Sequence, residues 1–136
     1  MFTKKWQMIL VTLLGGAMTG AWAQSVTVVE YYNSALDAYF ITGRSGEQAQ
    51  LDAVADFRRT GMTFEAVAAV GAPASTTRIC RFYISGTSPF VSSHFYGREG
   101  TDCEQIRAQN LPGFTWEDYD FAVGQPDSGV CPVNTT

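Results

Sequence analysis

Val29-Glu30-Tyr31-Tyr32-Asn33, followed by Asp37-Ala38-Tyr39-Phe40-Ile41-Thr42, has an arrangement that returns in the second half of the chain. There Cys80-Arg81-Phe82-Tyr83-Ile84 precedes Ser93-His94-Phe95-Tyr96. Each string is rich in aromatic and β-branched residues, the composition of short strands that are half buried. Both pairs of strings are followed by an S/T-x-x-E/Q pattern, Ser45-Gly46-Glu47-Gln48 and Thr101-Asp102-Cys103-Glu104. Such a pattern predicts a capping box, in which the hydroxyl and the Glu or Gln satisfy free backbone N–H groups at a helix start. The predicted helices run from Glu47 to Ala55 and from Asp102 to Asn110. Gly61 and Pro112-Gly113 then break the chain before two further β-like segments, Met62 to Val67 and Trp116 to Val123. The expected order is β-β-α-β twice, in units of about 29–67 and 80–123 joined by the small-residue linker Gly71 to Thr77. One unit alone has little with which to bury its aromatic face. The fold class expected is therefore α+β: two pseudo-repeated β-β-α-β units forming an antiparallel sheet with short helices packed against it.

Residues 1–23 read as a secretory signal peptide. Lys4 and Lys5 give a positive start, Met8 to Met18 is apolar or small, and Ala21-Trp22-Ala23 offers small residues at the −3 and −1 positions of a cleavage site. The apolar run falls short of the roughly 20 residues that span a bilayer, and no later segment reaches that length. The expected location is secreted or periplasmic, with residues 24–136 forming a single globular domain of two repeats and a C-terminal tail.

Loss of the signal removes both lysines and leaves seven Arg against thirteen Asp and Glu, a formal charge of −6. That acidic chain, with no basic run, is a poor partner for nucleic acid and, after cleavage, for anionic membranes. Its aromatic content argues for a folded core.

Three cysteines remain, Cys80, Cys103 and Cys131. An oxidising compartment suggests one disulfide and one leftover thiol, and three pairings are open. Cys80 shares a strand face with Phe82 and reads as a small buried hydrophobe. Cys131 lies in a Gly/Pro-rich tail that needs pinning. The expected bridge is Cys103–Cys131.

The quoted aromatic strings resemble a repeat domain of unknown function found in bacterial secreted and cell-surface proteins, with a Y-R-x-Y-N … H-F-Y-T … helix … W-x-x-E-G pattern. The resemblance spans nearly all of residues 26–123. It implies an accessory or binding role and supplies no catalytic residues. The first unit departs from the pattern with Ala38 where His is common, and the second with Gly97 where Thr is usual.

Chemistry-bearing motifs are sparse. There is no P-loop, G-x-G-x-x-G, H-E-x-x-H or G-x-S-x-G, so no cofactor and no catalytic set is expected. His94 is the single histidine, and Ser93 beside it on a strand would point to the other face. Cys80, His94, Cys103 and Cys131 match a zinc site in number but lack C-x-x-C spacing, and no metal is expected. Glu117-Asp118 with Asp120 alternates with Trp116, Tyr119 and Phe121, which predicts the wet face of a strand. In each adjacent aromatic pair one ring faces the core and one faces away. Tyr32, Tyr39, Tyr83 and Tyr96, with His94 and Trp116, make up the expected ligand-contacting set. Two arrangements are open: these rings form a stacking platform, or the helices cover them. The function expected is a non-enzymatic binding or accessory module for glycan, cell-envelope or protein ligands. A structural or assembly partner of another exported protein is the alternative, and a small hydrolase is the third reading.

Overall fold

In the computed structural model, which describes residues 23–86, 92–126 and 128–131, strands and helices alternate as β1 (Ser25–Asn33), β2 (Ala38–Thr42), α1 (Ser45–Leu51), β3 (Phe57–Ala68), β4 (Thr76–Ile84), β5 (Ser93–Arg98), α2 (Asp102–Gln109) and β6 (Phe114–Gly124). Except for Ala23, the predicted signal peptide lies outside the described residues. The strands form one antiparallel sheet in the order β2-β1-β3-β6-β4-β5. The architecture is thus α+β, a mostly antiparallel half-barrel carrying two short helices among the described residues.

The sheet is joined at its middle by a narrow seam. β3 pairs with β6 through Val67↔Ala122 and Ala68↔Phe121. On either side of that seam the pairing is extensive and follows matching registers. Tyr31 lies opposite Phe40, as Phe82 lies opposite Phe95. Tyr32 lies opposite Tyr39, as Tyr83 lies opposite His94. Asn33 lies opposite Phe57, as Ile84 lies opposite Phe114.

Three apolar clusters hold these layers. Val28, Ala66 and Phe121 form the central one, with Ile41 and Ile79 against it. Val29, Tyr31 and Phe40 pack with Leu51 of α1. Cys80, Phe82 and Cys103 pack with Ile106 of α2. Val28 and Val29 are both buried, since consecutive strand residues face opposite sides and β1 is covered on both. The ends of the curled sheet are tied by one side chain. The Ile41 N–H donates to Tyr96 Oη (3.3 Å), and the Tyr96 hydroxyl donates to the Ile41 carbonyl (2.5 Å). That satisfies the free edge of β2.

Several expectations need correcting. β3 is longer than expected because Gly61, with φ +94°, sits inside it at an irregularity in the β1 pairing rather than ahead of it. The predicted helix to Ala55 ends at Leu51. Neither capping box forms: Ser45 is the first helical residue, and Thr101 makes no side-chain cap bond. Gln48, which would have closed the first box, is used elsewhere: its Nε2 donates to the Thr27 (2.9 Å) and Thr42 (3.0 Å) carbonyls. The Arg44 N–H donates instead to Thr42 Oγ1 (3.0 Å).

The disulfide is Cys80–Cys103, not Cys103–Cys131, and Cys131 is free and exposed. Pairing of β4 with β5 sets Cys80 opposite Gly97, and the first turn of α2 folds back over that spot. The Cα atoms of the two cysteines are 6.0 Å apart, within bridging reach. Gly97 is what allows the approach. A Cβ there would lie 2.7 Å from the Phe95 ring and 2.8 Å from Asp102 Cβ.

Candidate functional site

Between the two halves lies a buried guanidinium. Arg81 projects from β4, and its side chain is 3% exposed. Its Nη1 donates to Glu47 Oε2 (2.7 Å) and Asp120 Oδ2 (2.8 Å), Nη2 to Glu47 Oε1 (2.9 Å), and Nε to Glu117 Oε2 (2.8 Å). The Phe40 ring lies 4.9 Å from the guanidinium carbon. A buried charge is tolerated when its donors are all engaged. Burial works against the Arg81 charge, but Glu47, Asp120 and Glu117 outweigh it and raise its pKa further.

Local backbone geometry delivers each carboxylate. Phe82 opposes Trp116 and Cys80 opposes Tyr119, so β6 bulges across Glu117 and Asp118. Asp118 takes a left-handed φ of 71° and its Oδ1 accepts from the Tyr119 N–H (2.8 Å). The bulge turns Glu117 toward Arg81 and His94. Asp120 is fully buried, with Oδ1 accepting from the Gly43 N–H (2.8 Å). Burial pushes its carboxyl upward, against the pull of that N–H and of Arg81 and Arg44. Glu47 arrives from α1, where Thr42 Oγ1 donates to its Oε2 (2.6 Å). Burial raises the Glu47 carboxyl, yet the Arg81 and Thr42 hydrogen bonds prevail and hold it below its ordinary value. The expected wet strand face is therefore wrong for Asp120 and Glu117: the bulge and the facing guanidinium draw both inward.

His94 completes the cluster. Its Nε2 is 3.3 Å from Glu117 Oε2, and its ring lies 4.6 Å from Phe40 and 5.4 Å from Tyr83. Burial lowers its pKa, with Arg81 adding to that and the carboxylates opposing it, so the imidazole is neutral at neutral pH. Ser92 Oγ accepts from Tyr83 Oη (3.1 Å) and from the Gly86 N–H. Among the described residues, no side-chain hydroxyl is hydrogen bonded to His94.

Two members of this cluster, Glu47 and His94, line a cavity of about 180 Å³. Tyr39, Phe40, Phe57 and Tyr83 give it aromatic surface, and Leu36 and Leu51 extend the apolar part. Asn33, Glu47, Ser92, Ser93 and His94 supply polar groups. Asn33 Oδ1 accepts from the Ala35 and Leu36 N–H groups, which leaves its NH₂ as the donor side.

Of the residues expected to contact a ligand, Tyr39, Tyr83 and His94 line this cavity, and Tyr39 is 62% exposed. Tyr32 stands beside it, its ring 5.2 Å from Tyr39 and its hydroxyl donating to Asp37. Tyr96 is committed to Ile41. Trp116 is elsewhere, packed on Phe82 under α2 with Arg107 4.8 Å above its ring. Sequence reading missed Arg81, Glu47 and Asn33. Glu47 was hidden by its place in a capping-box pattern, while a lone Arg within an apolar strand string was the available signal for Arg81.

Among the described residues no group of three or more His, Cys, Asp and Glu side chains could hold a metal ion, and no helix is long and apolar enough to cross a membrane. Comparison of the chain with protein-family models, curated proteins and solved structures finds no match in any of the three.

Proposed function

We propose that this protein is an exported, non-enzymatic binding module that holds a small ring of a glycan or cell-envelope polymer in the cavity between its halves. The observation that carries this reading is the cavity itself. Aromatic rings of Tyr39, Phe40 and Tyr83 line it together with the polar residues Asn33, Glu47 and His94. A sugar ring has the complementary form, apolar C–H faces with a hydroxyl rim, and aromatic side chains with a polar edge suit it. The Cys80–Cys103 disulfide fits an oxidising compartment and supports export.

We further propose that the halves derive from one duplicated β-β-α-β unit, as the resemblance to secreted repeat domains implies. The matching registers support this: Tyr31 corresponds to Phe82, Tyr32 to Tyr83, Phe40 to Phe95 and Tyr39 to His94. In this correspondence Tyr39, rather than Ala38, takes the place of His94. The cavity then forms where the two copies have diverged.

Binding is favoured over hydrolysis by the state of the polar groups. Glu47 and Glu117 are both bound to Arg81, and the Ser92 hydroxyl already accepts two hydrogen bonds. No activated nucleophile results. The test is calorimetric titration of the protein with monosaccharides and solubilised envelope polysaccharides. Binding is expected, and Tyr39→Ala should weaken it about tenfold through lost stacking. Absence of binding across a broad panel would remove the reading.

A further inference from the structure

We propose that the cavity selects a ligand bearing a protonated amine, which Glu47 holds, so that the favoured ring is an amino sugar with a free ammonium group. This rests on the glycan reading above and narrows it. Among the described residues, Glu47 is the only Asp, Glu, Lys or Arg lining the cavity. Its two oxygens are unequally used. Among the described residues, Oε2 accepts from both Arg81 and Thr42, whereas Oε1 accepts from Arg81 Nη2 alone. A carboxylate oxygen has room for two donors, so Oε1 keeps an acceptor position.

The surroundings favour a cation at that position. Glu47, Glu117 and Asp120 are set against Arg81 and Arg44, a formal balance of −1 for the cluster. The rings of Tyr39 and Tyr83 line the cavity, and aromatic rings attract ammonium groups. Burial disfavours the charged form of His94, which limits competing positive charge. The Asn33 NH₂ is left to donate to a hydroxyl of the same ring. An N-acetylated sugar offers no charge here, and an acid would meet Glu47 with like charge.

The experiment is calorimetric titration of the full chain, at slightly acidic pH and low salt, with glucosamine, glucose, N-acetylglucosamine and cyclohexylamine. Glucosamine should bind about tenfold more tightly than either neutral sugar, since a charge-assisted hydrogen bond replaces a neutral one. Added salt should shrink that preference. Glucose or N-acetylglucosamine binding as tightly as glucosamine overturns the amine inference while leaving the glycan reading intact. Cyclohexylamine binding at least as tightly as glucosamine, with no binding of the neutral sugars, keeps the amine inference and removes the glycan reading. Failure of both amines to bind overturns the inference outright. Glu47→Gln should abolish the preference for glucosamine over glucose, and retention of the preference in a folded variant counts against the role of Glu47. Should that variant not fold, the ligand series on the unaltered protein decides.

Discussion

Arg81 on β4 and Glu47 on α1, 34 residues apart, meet through a two-point ion pair with Nη1···Oε2 2.7 Å and Nη2···Oε1 2.9 Å. This pair, with Asp120 beneath it, joins the halves of the molecule where the strand seam between β3 and β6 is narrow. Arg81→Met keeps much of the volume but strands the buried Asp120 carboxylate. Removing one partner of a buried pair costs about 3–5 kcal/mol, and a loss of that size is expected in urea unfolding. Arg81→Lys should recover only part of it, because an ammonium cannot reproduce the fork that meets three carboxylates.

The pH dependence follows from His94 and Glu47. The folded-state pKa of His94 is depressed by burial from its usual 6.5. Below that value the unfolded chain takes up a proton that the folded protein refuses, so stability falls as pH drops from 6.5 toward the folded-state pKa. Glu47, also depressed, loses its contribution in a lower window, as pH falls through its folded pKa. Asp120 is raised and acts in the opposite sense there, relieved by protonation. Unfolding midpoints measured from neutral to mildly acid pH should therefore decline, and His94→Gln should flatten the upper part of that decline.

The disulfide makes a countable prediction. Protein taken directly from its compartment and denatured should show one free thiol, that of Cys131, and Cys131→Ser should show none in a monomer. Cys80→Ser and Cys103→Ser should each destabilise by roughly 3 kcal/mol in the chain-entropy account, whereas Cys131→Ser should leave stability within about 0.5 kcal/mol.

Two glycines should respond in opposite directions to alanine. At Gly97 the new methyl would meet Phe95 and Asp102 at under 3.0 Å, beside the disulfide, and overpacking of that kind costs about 1–3 kcal/mol. At Gly46, in α1, nothing lies within 4 Å, and the helical preference of alanine should give a gain of up to about 1 kcal/mol. Thermal melts of the two variants check both signs.

The strands were legible because alternation and aromatic pairing are local properties of the chain. The registers that set Tyr31 against Phe40 and Phe82 against Phe95 follow strings visible in the sequence. The site was legible only in part. Tyr39 and Tyr83 declare themselves as outward members of adjacent aromatic pairs, and His94 as the single histidine. Glu117 and Asp120 looked like a solvated strand face, since a bulge at Asp118 and a guanidinium from another strand are long-range facts. The Cys80–Cys103 bridge was hidden for the same reason: it depends on α2 folding back over Gly97, a residue whose missing side chain shows its use only once β4 and β5 are paired.

Occupation of the cavity between the halves by a small ring ligand can be followed by backbone amide chemical-shift mapping during titration with glucosamine and with envelope oligosaccharides. Saturable shifts are expected at Asn33, Tyr39, Phe40, Ser93 and His94, with the amides of α2 and around Trp116 unmoved. Shifts confined to the Trp116 and Arg107 groove, or no saturable shift for any ligand tried, would contradict it.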